Sequence, residues 1–298
     1  MKRVMIIGAD SYIGDSFAAY AKNRLIIDIV DSYEGWKAAS YDEYDSILLV
    51  AGLAHQKHKK EAYFAINRDL PIVISMKAKA GGVGQVIFLS SMAVYGKIQG
   101  EITTGTIPKP CDYYGLSKLQ AEEALTQTMK DKLCIVRPPM VYGSGCPGNF
   151  GKLVRLIKRA PIFPKINNQR SMIFIDNLCS FLLHSIENST TGIYLPQNAE
   201  YVNTTVLAHT ISEQFGRKLR TTRLFNPLIF VLMRFIPYIA KLFGNLYYSK
   251  NEDVILPPTE TELPISTVVP VFPSIYNEVS FEESIVATIQ PLQIMSNK

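Results

Sequence analysis

Tyrosine and lysine stand four residues apart twice in this chain, as Tyr33 and Lys37 in "YEGWK" and as Tyr114 and Lys118 in "YGLSK". On a helix that spacing puts both side chains on one face. A lone phenol titrates near 10 and is a poor acid-base group at neutral pH, but a nearby ammonium and an oxidised nicotinamide favour its phenolate. Context separates the two pairs. Only the second follows a run of strand character ending in hydroxyls, "FLSSMAVYG", which sets Ser90 and Ser91 at a strand's carboxyl end, where ligands collect in parallel sheets. Ser91, Tyr114 and Lys118 make a coherent site for moving a proton on or off a carbinol oxygen while hydride moves at carbon.

A second constellation lies at the start. In "GADSYIG", Gly8 ends an apolar run and Gly14 follows six residues later, inside a first helical turn. Glycine at both places lets backbone approach a pyrophosphate, whose charge is met by free helix N-terminal amides. Ser11 stands where a middle glycine is usual, so the fingerprint is incomplete, and a tight strand-helix turn that binds nothing reads the same way. An acid is expected about 20 residues onward to accept hydrogen bonds from the adenosine ribose. "LIIDIVDSY" offers Asp28 and Asp31 at a strand end. An acid there favours NAD over NADP, because a 2′-phosphate would be repelled; polar termination of a strand is the plain alternative.

These residues need elements to hold them. "RVMIIGA", "RLIIDIV", "SILLVAG", "QVIFLSS" and "KLCIVRPPMVYG" read as buried strands, the last stopped by Pro138 and Pro139. "SYIGDSFAAYAK", "EAYFAINRDLPIVISMKAKAGG" and "DYYGLSKLQAEEALTQTMK" read as helices between them. Strands alternating with helices predict an α/β fold with a parallel, doubly wound sheet. Between Asp28 and "VAG" there is no room for a further strand-helix unit, so that edge of the sheet is expected to be trimmed. After about residue 145 the rhythm shifts to short mixed elements richer in proline and aromatics. The expected division is therefore 1–145 for the dinucleotide-binding part and 146–298 for a smaller substrate-binding lobe, some of whose elements return to the first.

Composition narrows the class. With 298 residues and 47% hydrophobic content the chain buries a substantial core, and a net charge of +5, scattered, gives little support to nucleic-acid binding. Cys111, Cys134, Cys146 and Cys179 form no CxxC pair, and His55, His58, His184 and His209 add only a lone HxxH, so no metal is expected. That usage fits a reducing cytoplasm. The apolar run in "MKRVMIIGAD" is shorter than a signal peptide's and reads as a strand. The most apolar segment, residues 227–243, is too short for a comfortable membrane span and is interrupted by Arg234, Pro237 and Lys241. A helix pair packed on the second lobe is the plain reading; peripheral membrane contact is the alternative, kept open by the two basic residues seven apart.

Taken in order, "GADSYIG", "VAGLAH", "FLSSMAVYG", "YGLSK", "RPPMVYG" and "NNQRSMIFIDNL" resemble the extended short-chain dehydrogenases that act on nucleotide sugars, over about residues 1–200. The resemblance implies a Rossmann-type sheet and a catalytic triad of Ser91, Tyr114 and Lys118, with Lys118 also holding the nicotinamide ribose. Tyr12 and Ile13 match the loop under the pyrophosphate, Ala51 and Gly52 the turn beside the cofactor, and Pro138 and Pro139 the loop near the nicotinamide. Asn149 and Arg170 match residues that bind a sugar nucleotide's diphosphate, and Phe150 lies by the base. Met140 stands where many relatives carry asparagine, and a second, late phosphate-binding arginine is not found. "RPPMVYGSGCPGNF", "INNQRSMIFIDNL" and "KLFGNLYYS", with the trimmed first lobe, look especially like capsule-synthesis reductases acting on a UDP-4-keto-6-deoxy-N-acetylhexosamine.

Three functions follow: a nucleotide-sugar 4-ketoreductase, a 4-epimerase that keeps its NAD, and a nicotinamide-sensing protein without catalysis. The third needs none of Ser91, Tyr114 and Lys118, all of which are present. A homodimer is also expected, because in relatives the helices matching Glu61–Ala80 and Tyr113–Lys130 pair with their copies, and here Leu116, Leu119 and Leu125 spread over more than one helix face.

Overall fold

A computed structural model describes residues 1–54, 58–97, 99–250, 268–269 and 276–296 of the protein. His55, part of the "VAGLAH" stretch and of the HxxH, lies outside the described residues.

The first strand, β1 (Arg3–Ile7), turns into α1 (Tyr12–Ala21), and β2 (Ile26–Val30) leads through a single helical turn, α2 (Gly35–Ala38), to β3 (Ser46–Leu49). Next come α3 (Lys60–Phe64), a π-helical turn (Ala65–Asp69) and α4 (Leu70–Ala80), one continuous helix whose middle is widened. Pro71 explains the widening: it has no N–H to give the carbonyl of Asn67 four residues back, so the regular ladder cannot pass that point. The helix ends at Gly81, and Gly82 takes the left-handed conformation (φ +75°) that reverses the chain. β4 (Gln85–Leu89) follows, then a 3₁₀ turn (Met92–Tyr95), β5 (Gly100–Ile102), α5 (Tyr113–Met129), β6 (Leu133–Val136) and β7 (Met140–Tyr142). The remainder comprises α6 (Asn149–Arg159), β8 (Ile162–Pro164), β9 (Met172–Phe174), α7 (Ile175–Glu187), β10 (Gly192–Tyr194), α8 (Thr204–Gln214) and β11 (Arg220–Thr222). Last are α9 (Asn226–Leu232), α10 (Pro237–Phe243), β12 (Leu246–Tyr248), β13 (Val268–Val269) and α11 (Phe281–Ser296).

Seven strands form one parallel sheet in the order β13-β10-β6-β4-β3-β1-β2. Its strands are apolar throughout because both faces are covered. Val4, Ile6, Leu48, Val50, Ile87 and Leu89 pack on one side with α1 and α7, while Met5, Ile7, Ile47, Leu49, Val86 and Phe88 pack on the other with α4 and α5. Consecutive residues thus serve opposite layers, as the twofold repeat of a strand requires. The chain leaves β1 toward β2 and returns on the other side through β3, so the sheet reverses its order between β1 and β3. Among the described residues β2 is the last strand on its side, as the trimmed edge expected from the sequence requires. At the opposite side the chain returns from its second half to supply β10 and β13, and α7 packs against α1. Three parallel two-stranded pairs, β7–β9, β8–β11 and β12–β5, extend beyond the carboxyl ends of the central strands.

Candidate active site

The carboxyl ends of β1, β3, β4 and β6 bring four of the sequence motifs together. Gly8 ends β1 with φ +130°, and a Cβ there would lie 2.8 Å from the Ala51 amide nitrogen. Val50 and Ala51 both donate their amides to the Ile7 carbonyl, at 3.1 and 2.9 Å. No residue but glycine fits this approach, which lies at the point where strand order reverses. Gly14, in the first turn of α1, faces Val50 with similarly little room, since its Cβ would sit 3.0 Å from the valine Cγ2. Ser11, in place of the middle glycine, serves as N-cap of α1 and accepts from the Gly14 amide at 3.4 Å. Tyr12 and Ile13 open that helix, where amides have no carbonyl four residues back. The Tyr12 phenol passes under the loop to Gly143, is buried, and has no hydrogen-bond partner among the described residues.

The two acids separate. Asp28 is not at the strand end: it pairs with Met5 in the middle of β2 and binds Arg3 Nε and the Tyr44 hydroxyl, each at 3.0 Å. Asp31, just past Val30, stands at the carboxyl end. Its carboxylate accepts from the amides of Tyr33, Glu34 and Gly35 at 2.8, 2.8 and 2.9 Å, which hold it below the usual carboxylate range. Of about four acceptor sites on a carboxylate, three are used. The Tyr33 and Lys37 pair is on this exposed turn, with Lys37 bound to Glu34, and is no site.

At the end of β4, Ser90 donates its amide to the Val136 carbonyl at 2.7 Å and Met92 to the Pro138 carbonyl at 3.0 Å. These bonds fasten the serine turn to the diproline loop. Ser91 caps the 3₁₀ turn by accepting from the Ala93 amide at 3.1 Å. α5 begins at Asp112, which accepts from Gly115 at 2.8 Å, and Gly115 brings the helix so close that a Cβ would meet the Ala93 carbonyl oxygen at 2.5 Å. Tyr114 is thereby set beside Ser91. Burial raises the Tyr114 pKa, and a hydrogen-bonding interaction with the Ser91 hydroxyl pulls the other way. Lys118, one turn on, is buried; its ammonium donates to the Leu89 carbonyl at 2.9 Å and lies 4.7 Å from the centre of the Phe88 ring. Burial lowers its pKa to about 8 against a raising influence of Glu122. Ser91, rather than the ammonium expected from the sequence, therefore offsets the burial of the phenol.

Two groups near Lys118 were not singled out from the sequence. Asn67, fully buried in the π-helical turn, accepts from the Leu53 amide at 2.8 Å and donates to the Leu53 carbonyl at 3.1 Å and to Ser117 Oγ at 3.2 Å. It ties the Ala51–Gly52 loop to α5, and a Cβ on Gly52 would lie 3.2 Å from the Lys118 ammonium. In "AYFAINRDLPIVI" Asn67 stands beside Arg68 and Asp69, so nothing in the sequence set it apart from the polar face of an amphipathic helix. The second is an ion pair, Glu122 with Arg137, at 2.5 Å and with both side chains only 4% exposed. Ser90 also hydrogen-bonds Glu122, and the Tyr95 hydroxyl accepts from Arg137 Nη1 at 2.8 Å. Burial works against the Arg137 charge, but Glu122 more than restores it and the guanidinium pKa ends raised.

This network reaches the residues matched to substrate binding. Tyr248 donates to the Arg137 carbonyl at 2.7 Å and its amide to Ser171 Oγ at 2.7 Å. Arg170 next door is buried, bonds the Gly244 carbonyl at 3.0 Å, and has no carboxylate partner among the described residues. Burial lowers its pKa to about 10. Met140 starts β7 after the diproline and pairs with Met172, two residues from Arg170. Asn149 is exposed at the start of α6. Phe150 differs from the expectation: it is 3% exposed and stacks on Tyr142 with ring centres 5.2 Å apart, so its faces are spent in the core.

A Rossmann-type sheet with a glycine cradle stands beside a serine-tyrosine-lysine trio at the adjoining strand end, the arrangement suited to proton transfer next to a bound dinucleotide. The residues fit that group, because the Gly8 cradle leaves backbone-only access beside the free amides that open α1. The chain belongs to the NAD-dependent epimerase/dehydratase family, whose model matches residues 4–195. It is 30% identical over 217 residues to a UDP-glucose 4-epimerase of Vibrio cholerae, covering 66% of this chain and 62% of that one. To an Escherichia coli O157:H7 protein named as N-acetyl-α-D-glucosaminyl-diphospho-ditrans,octacis-undecaprenol 4-epimerase it is 24% identical, covering 68% of this chain and 65% of that one. The chain thus spans less than two thirds of the length of these curated relatives. The solved UDP-glucuronic acid 4-epimerase of Bacillus cereus in complex with NAD shares the fold, with a TM-score of 0.72 at 14% identity over 98% of this chain and 99% of that one.

Proposed function

We propose that the protein is a nucleotide-sugar 4-ketoreductase that reduces a UDP-4-keto-6-deoxy-N-acetylhexosamine to a UDP-N-acetyl-6-deoxyhexosamine for surface polysaccharide synthesis. The observation that carries this direction is the position of β2 at the sheet edge. With no strand beyond it among the described residues, fewer walls enclose the adenosine half of the dinucleotide, and weaker burial lets the cofactor exchange on each turnover, as reduction requires. Asp31 at the carboxyl end of β2 supports NAD over NADP. When bound, the reduced nicotinamide supplies hydride to carbon 4 of the sugar. Tyr114 gives its proton to the oxygen on that carbon, and Ser91 holds the same oxygen. The raised pKa of Tyr114 keeps the phenol protonated at neutral pH, the state a donor needs. Lys118 holds the nicotinamide ribose. Arg170, a buried cation without an acidic partner, takes the diphosphate with Asn149, so that binding energy far from carbon 4 sets which face is presented. The four free thiols suit a cytoplasmic setting.

A 4-epimerase that retains NAD is the second reading, favoured by the name of the Vibrio cholerae relative. A nicotinamide sensor without catalysis is disfavoured by the assembled Ser91, Tyr114 and Lys118. The test supplies UDP-4-keto-6-deoxy-N-acetylhexosamine with reduced cofactor and follows loss of nicotinamide absorbance. Oxidation of cofactor in step with sugar reduction is expected, with a rate that holds through neutral pH and falls as pH rises past about 8, where Lys118 loses its proton. Interconversion of UDP-hexoses without added nucleotide, and no cofactor oxidation, would give the epimerase.

Assembly as a homodimer belongs to the same reading. Leu125 is buried in the core and Leu119 packs on the small cluster around Val94 and Tyr95, so these two do not form a free face. Leu116 remains beside Phe64 and Arg68 on a surface groove between α3 and α5, and Val73 and Met76 are exposed on α4. Those residues are the face that pairs with a second copy. Light scattering should give twice the 33.4 kDa chain mass at micromolar concentration, and Met76→Asp should shift it toward one. A monomer mass for the parent protein would rule the dimer out.

A further inference from the structure

The apolar segment between Phe215 and Lys250 is not spent in the core. α9 and α10 bury Ile229, Ala240 and Phe243 against the rest of the chain, yet their outer side carries Leu228, Phe230 and Val231, with Phe235 75% and, just before α9, Leu224 79% exposed. Such a patch on a folded protein marks a surface that something covers. The charge around it says what. From Phe215 to Lys250 there are seven basic residues and no acidic one, although the whole chain is only +5. Arg223, Arg234 and Lys241 border the apolar side chains, are exposed, and have no carboxylate partner among the described residues. A cleft of about 460 Å³ at the foot of α9, lined by Lys165, Arg223 and Asn226, adds a recess between two of the cations.

We propose that the α9–α10 face docks on an anionic phospholipid bilayer, lying in the interface with its apolar side chains among the acyl-chain ends and its arginines and lysines at the headgroup phosphates. No helix among the described residues is long and apolar enough to cross a membrane, so the contact is peripheral. A second copy of this chain fits the face poorly, because pairing it with itself sets like charges against one another without an acid to relieve them. The face is also mechanically joined to the site. The Gly244 carbonyl that follows α10 is the one that accepts from Arg170, at 3.0 Å, and Thr204 donates to the Leu242 carbonyl at 2.8 Å. Docking would therefore place the diphosphate anchor next to the bilayer.

The experiment is co-sedimentation of the full chain, without sugar or cofactor, with phosphatidylcholine vesicles and with vesicles of phosphatidylglycerol and phosphatidylcholine. Three interfacial cations give an expected preference of about a hundredfold for the anionic vesicles, weakening as salt is raised. Phe230→Asp with Phe235→Asp should reduce that partitioning at least about tenfold. Both side chains are exposed, so the double variant keeps its fold and its turnover of soluble sugar nucleotide. No retention of the parent protein on anionic vesicles would overturn the proposal, as would equal retention of the variant. A fall in light-scattering mass on introducing the two aspartates, without vesicle binding by the parent, would assign the face to a second copy instead and likewise overturn it. Vesicle binding is read without turnover, so its failure leaves the reductase reading untouched, and the reverse also holds.

Discussion

Tyr114→Phe is expected to lower kcat by about 10²–10⁴, the range contributed by a positioned proton donor, while cofactor affinity stays within about twofold. Only the phenol oxygen is lost. The ring keeps its place beside Tyr63, with centres 6.4 Å apart, and Gly115 still fixes the helix against the serine turn. Lys118→Ala should weaken both turnover and cofactor binding, because its ammonium lies beside Gly52 at the turn next to the dinucleotide. Tyr33→Phe is the control: an exposed ring on the α2 turn, with Lys37 engaged by Glu34, should leave both quantities at the parent values. Stopped-flow turnover and cofactor titration decide the matter. A Tyr114→Phe protein working near the parent rate would remove the proton-transfer assignment.

The largest effect on stability is expected at the ion pair beneath the site. Arg137→Met leaves the buried Glu122 carboxylate with Ser90 as its remaining hydrogen-bond partner among the described residues, and Glu122→Gln leaves the guanidinium without its counter-charge. Removing one member of such a pair costs about 3–5 kcal/mol, whereas replacing both members together is far milder. Urea unfolding of the two single variants and the double variant measures this directly, and near-additive losses would show that the pair does not act as a unit. The catalytic readout is separate. Glu122 raises the Lys118 pKa, so without its charge the lysine should lose its proton below pH 8 and the alkaline fall in rate should move to lower pH. A purely structural role would leave the pH profile unmoved.

What the sequence made legible follows the range of the interactions. The five expected strands and their order of use rest on local apolar runs, and the parallel sheet uses them all. Ser91, Tyr114 and Lys118 were found because motif and helix spacing are also local. Asp28 and Asp31 could not be ranked, since three residues decide which of them stands past the strand end, and only the register with β1 fixes that. Phe150 was placed beside the base by resemblance and Leu125 on an outward face by pattern, but their neighbours, Tyr142 and the central sheet, come from other segments. The Glu122–Arg137 pair joins α5 to β6 and draws in Tyr95 and Tyr248, a meeting of four elements that no spacing rule encodes. Asn67 was hidden in a stretch that otherwise reads as plain amphipathic helix.

The widened turn around Asn67 also sets a phase. An α-helix turns about 100° per residue, and a π turn takes up one residue without that advance. Asn67 looks inward to Leu53 and Ser117, whereas Val73 and Met76, less than three turns later, look outward. Their relative angle is therefore fixed by the π turn that precedes Pro71. Wound as a regular α-helix, the same residues would advance one step further and swing one set about 100° against the other. Either the loop beside Lys118 or the outward face of α4 could keep its orientation, but not both. A single surplus residue thus acts as a timing mark shared by the interior of the molecule and its surface.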